Sequence, residues 1–225
     1  MSQKLACTIE RVIAHGERVY SLVLKPERPV PRFRAGQFLH LALDRYDPTG
    51  FWPDSRVFSI ASSPDERDAV RITYAVKGQF TTRMEAEALE GREVWIKLPY
   101  GDFFVDPAVD VALFAGGTGV TAFTAFLEGL ATDTPQRVAL AYGARTDDLL
   151  IYRGAIERCA ARVPSLSVAY VVGQPLAPDT VWPVLRRPEQ THYYISGPPA
   201  MLRGIGDALR GRGIRSEAIH IDAWE

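Results

Sequence analysis

Two short segments carry residue types and spacings suited to holding phosphate. Ala115-Gly116-Gly117-Thr118-Gly119-Val120-Thr121 follows an apolar run and leads into a helical pattern. Glycines let a backbone approach an anion closely, and the free N–H groups of a helix start attract negative charge. Gly117, Gly119 and Ala122 fit the loose G-x-G-x-x-A spacing, although the acidic residue expected about 20 positions on is missing. A tight strand-to-helix turn without a ligand is the competing reading. The other segment is Arg56-Val57-Phe58-Ser59. In a strand, Arg56 and Phe58 share one face and Val57 and Ser59 the other. Alone this is an ordinary surface pattern. It gains weight from Lys77-Gly78-Gln79-Phe80-Thr81-Thr82, a glycine turn that offers a second anion site at a helix start. A pyrophosphate needs such a turn plus a cation such as Arg56.

The elements that position these segments fall into two rhythms. Runs at 5–13, 19–24, 37–43, 57–60, 70–76 and 93–98 alternate or are β-branched, and Pro and Gly punctuate them. Six close strands predict a small antiparallel β-barrel. One helix interrupts them, starting at Phe80 or Thr81 and stopped by Gly91. Beyond residue 105 strands alternate with helices. Strands are expected at 109–115, 137–143, 167–172, 192–196 and 219–221, and helices at 120–130, 152–162 and 199–210, with a short helix near 181–185. That alternation predicts a doubly wound parallel sheet. The expected division is a barrel domain over 1–105 and an α/β domain over 106–225.

Composition excludes several classes. The 225 residues are 47% hydrophobic and 24% charged, a balance that supports a full core. A net charge of −1 gives no electrostatic reason to expect nucleic acid or an anionic membrane. The most apolar stretch, 109–130, is broken by Gly116-Gly117-Thr118-Gly119, so no membrane span is expected, and the start of the chain lacks a signal-peptide core. A cytoplasmic location is the expectation. Cys7 and Cys159 are too few for an iron–sulfur cluster and read as isolated buried thiols. His15, His40, His192 and His220 show no metal-ligand spacing and read as structural, so no metal is expected.

Six segments in order resemble the ferredoxin–NADP reductase superfamily of flavoenzymes over almost the whole chain. Arg56-Val57-Phe58-Ser59 is similar to its Arg-x-Tyr/Phe-Ser flavin motif, and Gly78 to Met84 to its Gly-x-x-Ser/Thr-x-x-Leu pyrophosphate motif. Pro99-Tyr100-Gly101-Asp102-Phe103 resembles the segment closing the flavin domain. Ala115 to Phe123 resembles the nicotinamide-cofactor loop, Tyr142-Gly143-Ala144-Arg145 the next strand end, and Ser196-Gly197-Pro198-Pro199 the Cys-Gly-Pro-Pro segment.

The resemblance implies bound FAD, with NADPH or NADH as substrate. Arg56 would bind flavin phosphate, Phe58 would lie on the isoalloxazine ring, and Ser59 would face its N5 region. Val57, Tyr74 and Lys77 join this flavin set, and Gly78 and Thr81 would hold the pyrophosphate. Gly117, Thr118 and Gly119 would hold nicotinamide-cofactor phosphates, with Gly197, Pro198 and Pro199 near the nicotinamide. Ser59 and Ser196 are the implied catalytic positions.

Arg145 suits a 2′-phosphate, whereas Asp147 or Asp148 would repel it, contact a ribose or simply cap the next helix. The implied reaction is hydride transfer between NAD(P)H and FAD, with electrons passed to a soluble carrier such as ferredoxin or flavodoxin, or to a small acceptor. A free-flavin or ferric reductase is one alternative, and a flavin-binding regulatory subunit with weak NAD(P)H turnover is another. Two departures stand out. Ser196 occupies the Cys position, and Trp224 stands where plant-type members end in Tyr. Trp224 would either cover the flavin or fill a groove as a packing residue.

Overall fold

Leu5, Cys7 and Ile9 are buried while Thr8 and Glu10 are exposed, the period of two that a one-sided strand requires. The computed structural model describes residues 2–222 and divides into a unit ending at Asp102 and a unit beginning at Phe103. The first unit contains β1 (Gln3–Gly16), β2 (Val19–Pro26), β3 (Phe38–Ala42), β4 (Ser55–Ser59), β5 (Val70–Ala75), α1 (Gln79–Glu87) and β6 (Glu93–Tyr100). Its strands pair antiparallel in the order β4-β3-β6-β1-β2-β5. The sheet curls until its two ends meet. Just beyond β4, the Ala61 N–H donates to Arg71 O of β5 (2.8 Å), and the Arg71 N–H donates to Ser62 Oγ (3.1 Å). The result is the near-closed barrel expected from the strand spacing. Its core includes Leu5, Ile9, Leu22, Leu24, Leu39, Leu41, Ile72 and Ile96. Each such side chain contributes about 1.5–3 kcal/mol by leaving water.

The β1–β2 turn departs from the usual turn chemistry. Gly16 pairs with Val19, so Glu17 and Arg18 form a two-residue turn at φ 45° and 59°. Asn-Gly is the favoured pair for such a turn. Arg18 is held there by Glu85 on α1: its Nε donates to Oε1 at 3.0 Å, and the Tyr20 hydroxyl donates to the same oxygen at 3.0 Å. The hairpin tip therefore fixes the helix that follows the Gly78 turn.

The second unit contains β7 (Val111–Gly116), α2 (Thr121–Glu128), β8 (Val138–Ala144), α3 (Arg153–Arg162), β9 (Leu166–Val172), β10 (His192–Ser196), α4 (Pro199–Gly211) and β11 (Ile219–Asp222). The strands are parallel in the order β11-β10-β7-β8-β9. β7 is buried throughout, as a strand covered on both faces must be. On one face Leu202, Ile205 and Leu209 of α4 pack on Tyr193, Ile195 and Phe114. Elsewhere in the unit the Cys159 thiol of α3 donates to Leu127 O of α2 (2.9 Å), joining those two helices. The helix expected over 120–130 begins instead as a 3-10 turn, Gly117–Val120, before α2. Gly117 opens this turn at φ +54°. The short helix expected near 181–185 is a 3-10 turn at Trp182–Val184. Among the described residues no helix is long and apolar enough to cross a membrane.

Three histidines make the fold sensitive to acid. His15 Nε2 lies 2.8 Å from Ser21 Oγ, which lies 2.7 Å from Thr73 Oγ1. His40 packs against the Phe38 and Tyr100 rings, and His220 stacks on Tyr194 with its Nε2 3.1 Å from His192 Nδ1. Burial holds all three below the ordinary 6.5, helped by Lys97 at His40 and by His192 at His220. As pH falls through 6.5 the unfolded chain binds protons that the folded chain refuses. Stability is therefore full above that pH and declines below it. The urea midpoint is expected to be lower at about pH 5.5 than at about pH 7.5, with His220→Gln narrowing the difference. A midpoint unchanged between the two would contradict this reading.

Candidate functional site

In the first unit the flavin-type residues flank the seam between β4 and β5. Arg56 lies opposite Leu41 and Phe58 opposite Leu39, so both take the side of the sheet that forms the barrel core. Val57 and Ser59 lie opposite His40 and Phe38 on the outer side. The alternation expected from the sequence is thus present. Phe58 is half-buried and its ring lies 6.1 Å from that of Tyr74, which is buried. Arg56 is exposed, and its guanidinium has no partner among the described residues. Ser59 is half-buried, and its hydroxyl has no partner among them either.

The turn after β5 is held by Thr81. Its Oγ1 accepts the N–H of Lys77 (2.9 Å) and of Gly78 (3.1 Å) and donates to Gly78 O (3.1 Å). The hydroxyl is therefore engaged within the turn. What remains for an anion is the first-turn N–H set of Gln79, Phe80 and Thr81, which finds no acceptor among the described residues. A Cβ at Gly78 would meet nothing within 4 Å, so the approach is open. This donor set, with the uncommitted Arg56 in the same unit, fits a diphosphate. Thr81→Val should cost about 1–2 kcal/mol of stability by orphaning two N–H groups, while Thr81→Ser should cost little. Urea unfolding of the two variants checks this, and equal midpoints would contradict it.

In the second unit the strand order reverses between β7 and β10. Ligands of such sheets bind beyond the carboxyl ends of the strands at that switch point. The two glycine segments, 116–119 and 197, sit there. They interlock. A Cβ on Gly119 would lie 2.4 Å from Ser196 O, 2.5 Å from Ser196 C and 2.7 Å from Gly197 N. One on Gly116 would lie 2.6 Å from Met201 Sδ. Gly119 is thus needed for loop-on-loop packing, whereas the sequence suggested phosphate clearance. Gly117 keeps the open position, since a Cβ there would meet nothing within 4 Å. Thr118 is half-buried, with its carbonyl accepting from Thr121 Oγ1 at 2.8 Å. Pro198 caps α4 and Pro199 begins it. Arg145 is exposed just past β8. Asp147 is held by Arg153 at 2.6 Å.

Ser196 is 3% exposed, and its hydroxyl donates to Asp222 Oδ2 at 2.8 Å. Asp222, itself 5% exposed, was not among the residues the sequence singled out. The available signal was an acid ending a short apolar strand after Ile219 and Ile221. The Trp224 expectation lies outside the described residues. Among the described residues no group of three or more His, Cys, Asp or Glu is placed to hold a metal ion.

Residues 113–207 match the family described as oxidoreductase NAD-binding domain. The chain is 30% identical over 203 residues to the ferredoxin reductase component of 3-ketosteroid-9-alpha-monooxygenase from Mycolicibacterium smegmatis, covering 86% of this chain and 56% of that one. It is 30% identical over 213 residues to the reductase component of phenol 2-monooxygenase from a Pseudomonas species, covering 86% of this chain and 58% of that one. Over most of its length the chain is thus similar to reductase components of oxygenase systems. The same fold recurs in the FAD/NAD-binding domain of nitric oxide dioxygenase from Vibrio cholerae, with a TM-score of 0.82, 17% identity and 98% of each chain covered. It recurs also in a ferredoxin reductase of carbazole 1,9a-dioxygenase, with a TM-score of 0.77, 22% identity, and 100% of this chain and 70% of that one covered. The chain spans 56% to 58% of the length of these two curated relatives.

Proposed function

We propose that the chain is an NAD(P)H-dependent flavin oxidoreductase, with the first unit binding FAD and the second binding NADPH or NADH. One observation carries the reading. Each unit presents its own open glycine turn, one in a barrel with an uncommitted arginine, the other at the switch point of a parallel sheet. When bound, FAD supplies two-electron acceptance from NAD(P)H and one-electron release, which no side chain offers. FAD is favoured over FMN because the Gln79–Thr81 N–H groups give a second phosphate its own donors.

In this reading Arg56 neutralises the diphosphate, and Phe58 and Tyr74 form an apolar wall. Ser59 offers an unused hydroxyl, while Val57 and Lys77 border the site. Gly117 and Thr118 receive the nucleotide phosphates, Gly197, Pro198 and Pro199 line the nicotinamide side, and Arg145 stands at the adenosine side. A separate electron carrier, or a small acceptor, receives the electrons. Support comes from relatives named as reductase components. The cytoplasm is the proposed place of action, where free thiols such as Cys7 and Cys159 persist.

The test is spectroscopic. The purified protein should be yellow, release FAD on denaturation, and bleach anaerobically with NADH or NADPH. A colourless protein, or released FMN, would overturn the FAD assignment. A yellow protein that neither nucleotide bleaches would favour a flavin-binding subunit with weak NAD(P)H turnover. The engagement of Ser196 by Asp222 keeps that second reading in view.

A further inference from the structure

We propose that β9 is a self-association edge, through which two copies of this chain pair antiparallel across a two-fold axis. β9 is an outer strand of the parallel sheet, bonded to β8 on one side only. Just before it the Ser165 carbonyl accepts the Val138 N–H (3.0 Å), and just past it the Gly173 N–H donates to Ala144 O (3.0 Å). Backbone groups alternate between the two sides of a strand, so the odd-numbered residues from 165 to 173 face β8. Val168, Tyr170 and Val172 then direct their N–H and C=O groups outward, where none of them meets a partner among the described residues. Burial agrees. β8 is buried from Val138 to Gly143, whereas every residue of β9 after Leu166 is half-buried or exposed, and Val172 is 40% exposed.

The composition of this edge points to its occupant. Open edges are normally guarded by charge, proline, a bulge or shortness. β11, the opposite edge, is four residues long and carries His220 and Asp222. β9 is seven residues long, and its register with β8 runs without a shift. No Asp, Glu, Lys or Arg lies between Arg162 and Asp179, and Pro164 and Pro175 fall outside the strand. Its Val and Tyr residues are types that pair well across strands. A charged partner strand would find no counter-charge here. A second copy finds an edge that cannot repel itself, which a contact of one patch with itself requires. The outward residues also fix the register. A two-fold axis at Tyr170 sets Tyr170 opposite its own counterpart and Val168 opposite the partner's Val172, and these are hydrogen-bonded positions of an antiparallel ladder. About six N–H···O bonds form, two per pair, and the two five-stranded sheets become one. This inference is independent of the NAD(P)H reading.

The test combines sedimentation equilibrium of the purified protein over a range of concentrations with amide hydrogen exchange. The wild type should be a dimer that dissociates on dilution, and the Val168, Tyr170 and Val172 amides should exchange faster as it does. Val168→Pro removes an outward N–H that β8 does not use, a place where an edge strand accepts proline. It should raise the dimer Kd about tenfold or more, since the two-fold axis loses that bond twice. Val172→Lys puts an ammonium at the exposed end of the strand, the usual guard of an edge, and should act in the same direction. A wild type that is monomeric throughout overturns the proposal, as does a dimer that both variants leave intact. Slow exchange of the three amides in the dilute monomer would show that the chain covers its own edge, and overturns it too. Assemblies larger than a dimer that Val168→Pro dissolves would exclude the two-fold arrangement. If Val168→Pro does not fold, Val172→Lys and the concentration dependence of exchange decide it: the first must weaken the dimer and the second must be present.

Discussion

Gly119→Ala should remove nucleotide-dependent flavin reduction while leaving flavin bound. The added methyl would sit 2.4 Å from the Ser196 carbonyl oxygen and 2.5 Å from its carbon, and neither backbone atom can swing aside as a side chain could. Either β10 shifts away from β7 or the Gly117–Val120 turn is expelled. Both outcomes separate the two turns at the switch point. Overpacking of side chains usually costs 1–3 kcal/mol, and a backbone clash falls at or above the top of that range, about a hundredfold or more in nucleotide affinity. Gly117→Ala is the comparison. Its methyl meets open space, but at φ +54° the left-handed backbone costs about 1–2 kcal/mol. Gly119→Ala should therefore be clearly the worse of the two in anaerobic reduction assays. Equal effects would show that backbone conformation, and not loop-on-loop packing, sets the requirement.

Arg56→Ala should weaken flavin retention about ten- to a hundredfold, the effect of losing a charge-assisted contact of roughly 1.5–3 kcal/mol. The guanidinium has no partner among the described residues, so its removal should leave the stability of the flavin-free protein nearly unchanged. That contrast distinguishes a ligand contact from a structural ion pair. Arg18 supplies the control, because its bond to Glu85 ties the β1–β2 turn to α1. Arg18→Ala should lower stability as well as flavin content. Flavin titration into the apo forms, with urea midpoints alongside, measures both quantities. Arg56→Ala protein that retains flavin as tightly as wild type would remove Arg56 from the site.

The barrel and the parallel sheet were legible because burial imposes short periods on sequence. Leu5, Cys7 and Ile9 alternate with less buried neighbours, and the apolar run through β7 signals burial on both faces. The glycine turns were legible as places of close approach. What they approach was not, because it depends on residues distant in sequence. The neighbour that makes Gly119 obligatory is the Ser196–Gly197 peptide, and no local pattern links them. Thr81 reads equally well as a phosphate ligand or as a turn lock, and only the hydrogen-bond geometry shows its hydroxyl engaged with Lys77 and Gly78. Asp222 was missed because the strand that carries it is four residues long and meets Ser196 across 26 positions.

The two thiols have a practical consequence. Cys7 lies inside the barrel at 2% exposure, and Cys159 lies between α3 and α2 at 4%. Burial pushes both thiols up, away from the reactive thiolate form. A disulfide reagent can therefore reach each sulfur only when its own half of the molecule opens. Nature has placed one such clock in each unit. Labelling followed by peptide mass analysis would time the opening of each half separately, in one tube and without engineered probes. A ligand slows only the clock of the half whose closed form it binds. Excess FAD should then protect Cys7, and excess nucleotide Cys159, which would allot each cofactor to its unit before any turnover is measured.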